Sequence, residues 1–212
     1  MLEIVNNFIN GEFAEPHNKE YLDIYEPATG SVYGKVADSS IHDINKAVES
    51  ATDAFPYWSG LSMVERADYL KKIAAEIKNR SNILAKYESR DTGKPITLAS
   101  KVDIPRAIEN FNFFANFSEN FYFESSIESE VSINSVSKQA LGVVGCISPW
   151  NLPLYLFTWK IAPALIVGNT VLAKPSEITP LTASKLAEIC SDIGLPAGVL
   201  NIVNGSGQVA GD

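Results

Sequence analysis

With 212 residues, 46% of them apolar and 20% charged, the chain has the make-up of a globular protein and is too apolar to be disordered. Its formal charge of -8 is spread without any basic stripe, which argues against nucleic acid as a partner and speaks mainly to solubility. No basic segment leads into an apolar run in "MLEIVNNFINGEF", and the most apolar stretch, 152–168, is interrupted by Pro153, Lys160 and Pro163, so neither a signal peptide nor a membrane span is expected.

In chain order, Asn10-Gly11 predicts a small hairpin between short runs of β-formers, and "EPATG" a second turn. Ser40 is a good N-cap, and Ile41, Ile44, Val48, Ala51 and Phe55 recur at three- and four-residue intervals, predicting an amphipathic helix that stops at Pro56. Further helices are expected from Ser62 through Ile77, from about Asn82 to Arg90 before "DTGKP" stops it, and from Ser100 to Ser118. Residues 1–120 thus read as largely helical. Between 121 and 140, "FYFESSIESEVSINSVSK" alternates apolar and polar residues, a β-ribbon able to pair with another chain.

From 141 to 212 the pattern becomes strand, helix, strand, helix, strand: "LGVVGCIS", 153–168, "TVLAKP", 180–193 and "GVLNIV". Thr179, Pro180 and Gly194 punctuate the second helix as N-cap, first residue and terminator. The fold class expected is α/β, a Rossmann-like parallel sheet flanked by helices, with the N-terminal helical segment and the ribbon as additions. Cys146 and Cys190 lie in apolar surroundings without metal-ligand spacing, which favours buried free thiols over a disulfide and suits the cytoplasm. His17 and His42 are read as isolated surface residues, and no metal site is expected.

Open parallel sheets bind ligands at the carboxyl ends of their strands, and three candidates fall there. The amide of Asn151 can donate to a carbonyl oxygen that turns negative under attack, or can simply sit in a turn beside proline. Lys174 and Glu177 can grip the vicinal hydroxyls of a ribose, with Glu177 repelling a 2'-phosphate, or can serve a helix start and a surface charge. Gly205, Gly207 and Ala210 satisfy G-x-G-x-x-A after a strand, a weak signal because a strand-to-helix turn uses glycine without any cofactor.

These motifs converge in "SPWNLPLYLFTWKIAPALIVGNTVLAKPSEITPLTASKLAEI" and "GLPAGVLNIVNGSG", which resemble the NAD-binding half of the aldehyde dehydrogenase superfamily. The likeness extends to "INGEF", "YEPATG", residues 54–58 and "DTGKP". It implies that Asn151 is the side-chain oxyanion donor and that Lys174 and Glu177 hold the adenosine ribose of NAD. It further implies that Ile147, Ser148, Pro149 and Trp150 line the nicotinamide side, that Gly207 lies near the adenine, and that Leu152, Leu156 and Trp159 wall an aldehyde tunnel. "DIPRAIENFNFFA" with "SPWNLPLYL" is most similar to 2-aminomuconic and 2-hydroxymuconic semialdehyde dehydrogenases, where an arginine matching Arg106 holds the substrate carboxylate. A guanidinium suits that task because it forks onto a carboxylate through two parallel hydrogen bonds.

Members of that superfamily are longer, and their reactive cysteine and general-base glutamate follow the part matched here. The chain is therefore expected to be the front of an NAD-dependent enzyme that oxidises an aldehyde, a carboxylated semialdehyde for preference, truncated before the catalytic domain and inactive alone. A homo-oligomer is expected for the full-length form. The competing reading is a non-catalytic nucleotide-binding or dimerising module whose ribbon engages a partner.

Overall fold

The computed structural model describes residues 2–117, 121 and 124–211. Ser118, the domain boundary at 120 and residues 122–123 of the extended stretch lie outside the described residues.

Five strands precede the first helix, where the sequence pattern suggested little more than a hairpin. β1 (Glu3–Val5), β4 (Tyr21–Glu26) and β5 (Ser31–Ala37) form a three-stranded sheet in the order β1-β5-β4, with β1 parallel and β4 antiparallel to β5. The hairpin of β2 (Asn7–Ile9) and β3 (Glu12–Ala14) turns at Asn10 and Gly11, whose φ of 55° and 81° are the left-handed values this turn demands. That hairpin extends a second sheet, ordered β3-β2-β10-β9-β8. β8 (Val143–Ile147), β9 (Thr170–Lys174) and β10 (Leu200–Ile202) are parallel as expected, and β2 joins β10 antiparallel, so the complete sheet is mixed.

α1 (Ile41–Gly60) starts after Ser40, whose N–H donates to Asp43 Oδ2 at 2.8 Å. It does not stop at Pro56. The carbonyl that loses its bond belongs to exposed Thr52, where water can serve it, while Trp58 beyond the proline is fully buried and donates from Nε1 to Leu165 O at 3.0 Å. α2 (Met63–Asn79) begins with a reciprocal capping box between Ser62 and Glu65 and turns Ala67, Leu70, Ile73, Ala74 and Ile77 inward. α3 (Ser81–Thr92) ends at Gly93 with φ 72°. α4 (Ile96–Leu98) runs through a π-helical turn (Ala99–Asp103) into α5 (Ile104–Phe117).

β6 (Glu124–Glu128) and β7 (Ile133–Ser137) form an antiparallel ribbon whose residues are all exposed. α6 (Pro153–Ile166) connects β8 to β9, α7 (Leu181–Asp192) connects β9 to β10, and α8 (Gly207–Ala210) follows. Alternation along β9 divides the interior. Val171 and Ala173 join the main core with Leu154, Phe157 and Leu186, while Leu172 between them packs with Ile9, Ala47 and Val203 on the α1 side. Thr179 does not cap α7. Its Oγ1 turns to Trp150 O at 3.5 Å, and the first amide of the helix, that of Leu181, is met by Asp91 Oδ2 at 2.8 Å. Among the described residues no helix is long and apolar enough to cross a membrane.

Candidate functional site

Because β8, β9 and β10 are parallel neighbours, the loops that follow them emerge along one edge of the sheet. Ile147 closes β8 and the next five residues carry the chain to α6. Ser148 is buried and donates its amide to Lys174 O at 3.0 Å, while Ile147, Pro149, Trp150 and Asn151 are exposed. The side-chain amide of Asn151 makes no hydrogen bond to any described residue; its main-chain oxygen accepts from Lys94 Nζ at 3.3 Å. Pro153 at the first turn of α6 starts that helix where an N–H is dispensable.

Lys174 ends β9. Its side chain is buried, and Nζ donates to Pro175 O at 3.3 Å and to Glu177 Oε2 at 3.4 Å. Glu177 is half-exposed and its other oxygen accepts no hydrogen bond from a described residue, so donor and acceptor stand together at the strand end. Gly207 is exposed beyond β10, and a side chain there would meet no atom within 4 Å. Gly205 has a packing reason instead. With φ at 136°, a Cβ on it would fall 2.9 Å from the Ser39 amide nitrogen.

Arg106 and Trp159 meet elsewhere, in a cleft of about 400 Å³ between α5 and α6 that is also lined by Glu109, Asn110, Phe113 and Tyr155. Buried Asn110 fixes the two helices by donating to Tyr155 O and Thr158 Oγ1, both at 2.9 Å. Arg106 lies over the Tyr155 ring at 5.3 Å and donates to its hydroxyl at 3.3 Å, which leaves further guanidinium donors for a guest. Leu152 and Leu156 are half-buried and do not line this cleft. Tyr155 was not singled out in the sequence, although the Arg106 to Tyr155 contact is what orients the cation.

Neither cysteine is placed as a nucleophile. Both are free and buried; burial pushes the Cys146 thiol above its usual range and that of Cys190 up to about 12. His17 and His42 are not isolated from each other, since their rings lie tilted against one another with centroids 4.5 Å apart. No group of three or more potential metal ligands occurs among the described residues.

The sequence profile of the aldehyde dehydrogenase family matches residues 13–212. The chain is 46% identical over 210 residues to a 2-aminomuconic semialdehyde dehydrogenase of Danio rerio, covering 99% of this chain and 43% of the relative. It is 41% identical over 208 residues to a 2-hydroxymuconic semialdehyde dehydrogenase of Pseudomonas sp. strain CF600, covering 96% and 43%. The crystal structure of an aldehyde dehydrogenase C mutant from Pseudomonas syringae, complexed with NAD+ and octanal, superposes with a TM-score of 0.93 at 36% identity, covering 98% of this chain and 42% of that one. The chain thus spans less than half the length of these relatives.

Proposed function

The chain belongs to the aldehyde dehydrogenase family, and from that premise we propose that it supplies the cofactor-binding part of an NAD-dependent enzyme that oxidises a carboxylated semialdehyde to the acid. The observation that carries this reading is the placement of Asn151, of Lys174 with Glu177, and of Gly207 after three adjacent parallel strands. NAD fits that edge. Lys174 and Glu177 offer a donor and an acceptor to two neighbouring ribose hydroxyls, the carboxylate disfavours a 2'-phosphate, and the exposed run from Ile147 to Trp150 gives the nicotinamide a surface over buried Ser148. Bound NAD supplies the hydride acceptor. Asn151 donates its amide N–H to the aldehyde oxygen as negative charge develops there, and Arg106 holds the distant carboxylate through the donors that Tyr155 leaves open.

The nucleophile and the general base belong outside these residues in this reading, since both thiols are buried and burial holds their protons more tightly than usual. The isolated chain is accordingly expected to form no NADH. Its exposed ribbon supports a homo-oligomer of the complete enzyme, and its unpaired thiols support a cytoplasmic location. The test is NADH formation by the complete enzyme over a panel of muconic semialdehydes and neutral aldehydes. Turnover preferring the carboxylated members supports the proposal. No turnover of any member refutes it; tight NAD binding by the 212-residue chain without turnover would favour the nucleotide-binding module instead.

A further inference from the structure

The segment after α3 holds a buried charge cluster to which the reading above gives no task. Lys94 Nζ donates to Asp103 Oδ2 at 2.6 Å and to the Asn151 main-chain oxygen at 3.3 Å, and lies 3.7 Å from Glu88 Oε1. The side chain of Lys94 is 11% exposed, and those of Glu88 and Asp103 are 0% and 1% exposed. Glu88 Oε2 accepts from the Leu154 amide at 3.4 Å and from Thr182 Oγ1 at 2.9 Å.

Charges removed from water this thoroughly are costly unless each is paired, and a cluster of that kind is a poor device for stability alone. What it touches is more telling. The main chain of 151–154 is gripped at both ends, its first oxygen by Lys94 and its last amide by Glu88, while the Asn151 side chain at the start of this stretch bonds to no described residue. Through Thr182 on α7, Glu88 also reaches the element that follows the Lys174 and Glu177 loop.

We propose that Lys94 and Glu88 are positioning residues, which fix the main chain at 151–154 and so aim the Asn151 amide at the substrate oxygen. The inference rests on the oxyanion role given to Asn151 above. A hydrogen-bond donor acts on a transition state only from a narrow range of positions, and misplacement by about 1 Å costs up to about 100-fold in rate. Asn151 sits on a loop, which needs such support more than a donor built into a helix or strand does.

The test is Lys94→Met/Asp103→Asn in the complete enzyme, where removing both opposite charges avoids stranding one of that pair. The expected result is a fall in kcat of about 10- to 100-fold, with KM for NAD changed by less than about twofold. Should the double variant fail to fold, Lys94→Arg keeps the cation for the carboxylates and displaces the donor from the Asn151 oxygen, so the same split is expected. As a second measurement on the 212-residue chain itself, amides in 150–156 are expected to exchange at least about tenfold faster in the double variant while the ribbon is unchanged. Wild-type turnover with unchanged kcat in the folded variants overturns the proposal and leaves the enzyme reading standing. Absence of wild-type turnover removes that reading and the catalytic role together, and unchanged amide protection then overturns the positioning of the loop as well.

Discussion

Raising the pH from 5 to 8 is expected to destabilise this protein, because two buried carboxyls on α3 hold their protons unusually well. Burial raises Glu88 from 4.5 to about 7 against the opposing pull of Lys94, the Thr182 hydroxyl and the Leu154 amide. Burial likewise raises Asp91 from 3.8 to about 7, although the Tyr33 hydroxyl, the Leu181 amide and Arg90 favour its charged form. A carboxyl whose folded value exceeds its unfolded value binds more protons in the folded state. Its contribution is fully present below the unfolded value and is lost as pH rises through the folded one. For Glu88 the rise from 4.5 to about 7 corresponds to about 3 kcal/mol at roughly 1.4 kcal/mol per pH unit, and Asp91 acts with the same sign. Urea unfolding at pH 5, 6, 7 and 8 reads this directly, with stability falling up to about pH 7 and levelling above it. Glu88→Gln cannot ionise yet keeps an acceptor for the Leu154 amide. It is expected to match the wild type near pH 5, to exceed it by up to about 3 kcal/mol at pH 8, and to show a shallower slope between. A wild-type stability that is flat or rising over this window, or a slope that survives Glu88→Gln unchanged, refutes the reasoning.

Three further outcomes follow from the geometry. Asn151→Ala in the complete enzyme should lower kcat by about 100- to 1000-fold with little change in thermal midpoint, because its exposed amide supports no other described residue. Arg106→Met should raise KM for carboxylated semialdehydes by roughly 10- to 100-fold, the equivalent of about 1.5–3 kcal/mol for a charge-assisted hydrogen bond, and leave neutral aldehydes unaffected. Trp58→Ala should cost roughly 3–5 kcal/mol in urea unfolding of the 212-residue chain, since it empties a fully buried site and strands the Leu165 oxygen that Trp58 Nε1 now serves.

The elements that depend on local pattern were legible in the sequence. The Asn10-Gly11 hairpin, the helix start at Ser62, the stop at "DTGKP" and the strand–helix alternation after 140 each rest on a few neighbouring residues, and each has its counterpart in the fold. The same alternation located the carboxyl edge of the sheet, and with it Asn151, Lys174 and Glu177. What local pattern misjudged was settled by distant partners. Pro56 reads as a stop, yet Trp58 two residues later is tied to α6 more than a hundred residues away. Thr179 and Pro180 read as a cap and a first residue, yet the start of α7 is met by Asp91 from α3. His17 and His42 look unrelated at 25 positions apart, and the β2–β3 hairpin gives no sign that it will extend a parallel sheet.

Glu88 is the sharpest instance of that limit. In "AKYESRDTGKP" it looks like one more charge on a helix that is about to end, and nothing within several residues distinguishes it from a solvated glutamate. Its burial arises only when α3 closes against the starts of α6 and α7, because those helices bring an amide and a hydroxyl that need an acceptor. An isolated carboxylate would not stay in that position; the Leu154 amide, the Thr182 hydroxyl and Lys94 make it tolerable, and the first two come from distant parts of the chain. The groups proposed to meet the cofactor and the aldehyde oxygen stand at or just after strand ends, positions that the strand–helix alternation marks in the sequence. The groups that hold those strand ends in register emerge only from the folded arrangement, and substitutions among them should alter turnover without altering any residue that meets substrate.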